Sequence, residues 1–195
     1  MCRSQDTRSP RLDPFMSPQT YRSQSVARSR SRAGTVLRHE MTVVASSVVD
    51  VVASTGGWLY DRRMAGWQVN VLVADRTGER ALKILGAEVF DLGGDLEVIT
   101  DDPDRAATVA VAADLYAVDA RVRQLISTSD RRRVEVALWG ETDSLRENLS
   151  AVSYRLTAAA RAFKGQAMLA AGIPGPVHAT EALFQCGVTA LAPAR

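Results

Sequence analysis

The sequence predicts an α/β fold, a small three-layer Rossmann-like domain of about three mostly parallel strands with helices on both faces. The first observation behind this is Gln68–Asp75 (QVNVLVAD), a Val-rich run of strand length bounded by Gly66 before and Arg76-Thr77-Gly78 after. The second is the short helical pattern that follows, with Ala81, Leu82, Ile84 and Leu85 closed by Gly86 at the position a helix C-cap favours. The third is the next apolar run, Glu88–Leu92 (EVFDL), ended by Gly93-Gly94. A short helix between two apolar strands is the βαβ pattern of parallel sheets.

The first 40 residues are of another kind. Arg3, Arg8, Arg11, Arg22, Arg28, Arg30, Arg32 and Arg38 face only Asp6, Asp13 and Glu40, and Ser and Pro are scattered among them without period. Such a segment cannot bury enough apolar surface to offset the entropy of ordering, so a disordered Arg/Ser-rich tail is expected over residues 1–40, with one α/β domain over 41–195. Two readings of the tail stay open. The RSQSVARSRSR stretch, with Arg28, Arg30 and Arg32, has the charge of an arm that attracts nucleic acid through phosphate contacts. Alternatively, translation starts at Met41, where well-patterned sequence begins, and the upstream residues are misassigned.

From Met41 the apolar positions Val44, Val48, Val51 and Val52 recur at helical spacing, and Leu59, Arg63 and Met64 resume it after Gly56-Gly57. Two helical pieces with a glycine joint are predicted. A strand over Val48–Ala53 is the alternative, because VVDVVAS is rich in β-branched residues.

Asp102-Pro103 reads as a helix start, with Asp supplying a capping oxygen and Pro at the first helical position. Ala107, Val111, Leu115, Val118, Val122 and Leu125 then keep a helical rhythm, so one long helix to about Ser127 is predicted, with a possible break at Asp119. Val134–Trp139 (VEVALW) is the third strand. A helix is expected over Ser150–Ala171, stopped by Gly172 with Pro174 beyond. Loop follows, with one further short strand near Ala182–Cys186.

Of the 24 basic residues only Lys83 and Lys164 are Lys, and the chain is rich in Ala and Val. That usage looks like a GC-rich genome and resembles proteins of actinobacteria, a resemblance of style that implies no function. Cys2 and Cys186 lie at opposite ends without partner spacing, which fits a reducing compartment. No apolar run has the length of a membrane helix or of a signal sequence, so a soluble cytoplasmic protein with no membrane partner is expected.

No catalytic signature is found. The dinucleotide fingerprint, the phosphate-binding P-loop and the G-x-S-x-G elbow are all missing, and His39 and His178 are the only histidines. Ligands of open parallel sheets bind beyond the carboxyl ends of the strands. Those ends supply Asp75 with Thr77, then Asp91, then Trp139-Gly140-Glu141. Converging there, Asp75, Asp91 and Glu141 would suit Mg²⁺ and phosphoryl chemistry. The competing reading is that they cap turns and helices. His178, Glu181 and Cys186 form a second candidate set, of base and nucleophile.

Three functions are therefore carried forward. A non-catalytic binding or regulatory module leads, followed by a nucleotide-binding or Mg-dependent enzyme and by a nucleic-acid binder acting through the tail. The sequence names no cofactor. A sheet of three strands would leave apolar edges that a second copy could cover, so a homodimer is expected.

Overall fold

The computed structural model describes residues 38–93, 96, 105–131, 134–141 and 149–186. Twelve elements follow in order: β1 (Arg38–Ser47), α1 (Val48–Met64), β2 (Gln68–Asp75), α2 (Arg80–Ile84), β3 (Glu88–Asp91), β4 (Arg105–Ala112), α3 (Ala113–Val118), α4 (Ala120–Arg131), β5 (Glu135–Trp139), β6 (Leu149–Arg155), α5 (Ala158–Ala170) and β7 (Thr180–Cys186). They build one seven-stranded sheet in the order β3-β2-β1-β4-β5-β7-β6.

The expected α/β architecture holds, but about three strands is too few. β2, β3 and β5 lie where the sequence put them, and the short strand near Ala182–Cys186 is the end of β7. β1 to β5 are parallel neighbours, whereas β7 runs antiparallel to β5 and β6 antiparallel to β7. The sheet is therefore mixed.

All three additional strands occupy stretches read as helix. Met41–Val52 is divided at Ser47, with β1 before it and α1 after. The predicted long helix is β4 through Ala112 and helix only from Ala113, interrupted at Asp119 between α3 and α4; its proposed start at Asp102-Pro103 lies outside the described residues. The predicted Ser150–Ala171 helix is β6 through Arg155, with α5 beginning at Ala158. The boundary drawn at residue 40 falls inside β1, whose Arg38, His39 and Glu40 pair with Arg105, Ala106 and Ala107 of β4.

The cause is shared. In each case a strand runs into a helix with almost no connector; β1 and β4 are in addition buried on both faces and apolar at most positions, whereas β6 is a largely exposed edge strand. Met41, Val43 and Ala45 of β1 pack on one face with Val69, Val71 and Val73 of β2 against α1, α2 and α5. Val44 of β1 and Val109 and Val111 of β4 pack on the other face with Leu115, Val122 and Leu125 of α3 and α4. Three layers result. Val69, Val71 and Val73, all buried, lie in β2, between β3 and β1 and two strands from the central β4.

The predicted glycine joint also has a different structure. α1 is continuous through Gly56-Gly57, and both glycines are buried. They are there for close approach. A Cβ on Gly57 would lie 2.5 Å from Leu156 Cδ1, so only glycine lets the chain entering α5 pack against mid-α1. No helix of the described residues is long and apolar enough to cross a membrane.

Candidate functional site

Strand order reverses between β1 and β4. The chain steps outward from β1 to β2 and β3, then returns to the other side of β1 with β4 and β5. Crevices form at such a switch point above the carboxyl ends of the strands. The residues leaving β1 there are Ser46 and Ser47, and those leaving β4 are Ala113 and Asp114.

Ser46 Oγ donates to Asp114 Oδ2 at 2.8 Å, across the crevice. The other oxygen of Asp114 accepts the amide of Leu115 at 2.8 Å, which fixes the carboxylate on the first turn of α3. Ser47 is the N-cap of α1, with extended φ/ψ, and its side chain accepts from the Asp50 amide at 3.3 Å. Ser46 thus stands immediately before the positive end of a 17-residue helix. Asp50, in the first turn of α1, accepts the Trp139 indole N–H at 2.9 Å and the Ser54 hydroxyl at 3.0 Å. Trp139 is 1% exposed and ends β5, so Asp50 ties α1 to β5 at the rim. Gly140 follows at φ +94°, a conformation glycine tolerates, and a Cβ there would sit 3.8 Å from that of Ala113.

The acids nominated from the sequence are distributed along the rim. Asp75 turns back on its own loop and accepts the Thr77 amide at 2.8 Å; hydrogen bonds from the Thr77 side chain and amide hold its carboxyl below the ordinary range. Asp91 accepts from Arg76 at 3.4 Å, and Arg76 also pairs with Glu79, which in turn binds Lys83. Glu141 is exposed just past β5. β3 and β5 are four strand spacings apart, about 19 Å, and β2 and β5 three, about 14 Å. At those separations Asp75 and Asp91 do not share an ion with Glu141, which removes the geometric basis of the Mg-dependent phosphoryl reading.

Glu181 is not part of a nucleophile set. It is 4% exposed and pairs with Lys164 at 2.6 Å, with burial pushing its carboxyl above the usual range, while His178 sits on an exposed loop. Of the aromatic residues, Trp58, Trp139 and Tyr60 are core. Trp67 is partly buried, with the Arg62 guanidinium 4.5 Å above its ring and His39 packed at 4.9 Å. Arg28, Arg30 and Arg32 lie outside the described residues.

The residues missed were Ser46, Asp50 and Asp114. A signal existed, because each follows the end of a strand or begins a helix. It became readable only once β1 and β4 were strands.

No family model matches the sequence, and no curated protein matches it. The fold does match solved structures. A triple mutant of the deacetylase of the teicoplanin biosynthetic pathway superposes with a TM-score of 0.54 at 14% identity, over 75% of this chain and 96% of that one. The A40926 pseudoaglycone deacetylase gives 0.51 at 17% identity, over 68% and 81%. The zinc-inhibited form of teicoplanin deacetylase gives 0.52 at 13%, over 78% and 100%.

At these identities what is shared is the fold. The likeness nevertheless overturns the expectation of a non-catalytic binding or regulatory module, because the three matched structures named above are deacetylases. Zinc takes three or four His, Cys or carboxylate ligands. Among the described residues no group of three or more His, Cys, Asp and Glu is placed to hold a metal ion, and Asp50 has already given one oxygen to Trp139 and the other to Ser54. The described rim does not fit a zinc site.

Proposed function

We propose that the chain is an amide hydrolase of the deacetylase kind, acting on an N-acyl amine held in the crevice above β1 and β4. The observation that carries this is the 2.8 Å hydrogen bond from Ser46 Oγ to Asp114 Oδ2 at the switch point, in a fold whose matched solved structures include deacetylases. A hydroxyl bonded to a carboxylate is a nucleophile beside its base.

Asp114 takes the Ser46 proton as Oγ adds to the acyl carbonyl carbon, and the carbonyl π pair moves onto its oxygen. The negative charge develops beside the N-terminus of α1, whose dipole favours it. The C–N bond then breaks, and Asp114 returns the proton to the leaving nitrogen. Water, deprotonated by the same carboxylate, releases the acyl group as a carboxylic acid and restores Ser46.

The test is amine release from a panel of N-acetylated amines, amino sugars and amino acids, followed with an amine-reactive fluorophore. Turnover is expected for the wild type, with D114N and S46A each lowered about 100-fold or more in kcat. Turnover equal in D114N and wild type, or none on any member of the panel, would overturn the reading.

A further inference from the structure

Helix α1, continuous from Val48 to Met64, is engaged from the side at mid-length. The amides of Gly57 and Trp58, in mid-helix, donate to Glu181 Oε1 and Oε2, both at 2.8 Å. An amide has one proton, so what Gly57 and Trp58 give to Glu181 is drawn from their bonds to the carbonyls of Ala53 and Ser54, four residues back. The Ala53 carbonyl is taken up by Lys164 Nζ at 2.6 Å, and Lys164 Nζ bonds Glu181 Oε1 at 2.6 Å. A buried ion pair from α5 and β7 thus competes with the helical ladder at this turn. Side groups inserted into the ladder in this way are a recognised cause of helix bending. The insertion falls at the one place where the side chains are missing, Gly56-Gly57.

The geometry points to a hinge: Lys164 and Glu181 divide α1 into a rim half, Val48–Gly56, and an anchored half, Gly57–Met64, and so set the position of the rim half. The Glu181 carboxylate acts as the N-terminal cap of the anchored half, where backbone amides and the helix dipole favour an anion. The rim half carries Asp50 and Ser54, with Ser47 as its cap, and is tied to β5 through the Asp50–Trp139 bond. The anchored half is held on both sides. Asp61 accepts the Thr157 hydroxyl at 2.6 Å, and the Arg62 guanidinium lies over Trp67. Lys164 and Glu181 are in this sense positioning residues. Their effect on catalysis rests on the hydrolase reading, but the hinge itself does not.

Hydrogen exchange of the full chain tests it. In E181Q the amide oxygen can accept from only one of the two amides while the NH₂ faces the other, so exchange at Gly57, Trp58 and residues 48–56 is expected to quicken about tenfold or more. β1 and β2 should be unchanged, and the Trp139 indole N–H resonance should move. In K164M/E181L nothing competes for the amides, the i→i−4 ladder closes, and exchange at Gly57 and Trp58 should fall below that of E181Q. Unchanged exchange in E181Q, acceleration spread equally over β1 and β2, or a double variant no slower than E181Q would each overturn the hinge. These readings need no turnover, so failure of the hydrolase assay would leave them standing. Where turnover is present, E181Q should lower kcat with KM held.

Discussion

Ser46 and Asp114, 68 positions apart in the chain, meet at 2.8 Å where the strand order reverses. Neither belongs to a motif, and each has a neighbour that fixes it, the Ser47 cap on one side and the Leu115 amide on the other. The contact lies at the position from which open sheets of this type bind ligands.

Trp139 should be costly to replace for two separable reasons. W139F removes indole volume from a site that is 1% exposed and strips Asp50 of its 2.9 Å donor. A loss of about 2 to 4 kcal/mol in urea unfolding is expected. D50N, which keeps an acceptor for the indole, should cost about 1 kcal/mol or less. Equal losses in W139F and D50N would mean that the charge of the Asp50 carboxylate dominates and packing does not.

Gly57 is a packing requirement. With the added Cβ 2.5 Å from Leu156 Cδ1, G57A should destabilise by about 2 kcal/mol or more despite the better helix propensity of Ala. L156A alone is expected to lose stability through its cavity, and G57A/L156A should lose less than the two single changes together. Strict additivity in equilibrium unfolding would show that the clash is relieved elsewhere.

Thr157 caps α5. Its side chain accepts from the Ala160 amide at 3.0 Å while its hydroxyl donates to Asp61 at 2.6 Å. T157A should cost about 1 to 2 kcal/mol, and T157S little. A T157S variant as unstable as T157A, by thermal or urea unfolding, would argue that the methyl group and not the cap matters there.

Tyr154 sets an alkaline limit. Burial and the nearby Asp61 carboxylate push its hydroxyl up to about 12 from the ordinary 10. Below pH 10 the residue is neutral in both folded and unfolded chains, and its full contribution is present. As pH rises from 10 through about 12 the unfolded chain ionises first, so stability is lost across that window, by an amount on the order of 2 kcal/mol. Unfolding free energies measured at pH 9 to 12 should fall less steeply in Y154F. A slope identical to wild type would remove Tyr154 as the cause.

The fold was readable where a pattern was local. Gln68–Asp75 is bounded by turn residues on both sides and lies at the length of a strand, and Arg80–Ile84 ends at Gly86, so β2, α2 and β3 stand where expected. The predicted helix stop at Gly172 follows α5 closely. Asp75 and Thr77 were legible as a pair, and the structure joins them in a turn. Ser46 and Asp114 were hidden because the strands that present them read as helix: Val44, Val48, Val51 and Val52 satisfy a helical period as well as they satisfy a buried strand running into a helix.

What the sequence by itself determined is the class of the molecule, α/β with Val-rich, mostly parallel strands, and the elements whose ends carry glycine, proline or capping residues. A helix closes its hydrogen bonds within a few residues, so its limits are written nearby. Only the tertiary structure decided β1, β4 and β6, because a strand is completed by hydrogen bonds to chain far away: Val44 pairs with Leu72 on one side and Val111 on the other. The same distance kept Glu181 from Gly57 and Ser46 from Asp114, 124 and 68 positions apart, until folding closed the intervening loops.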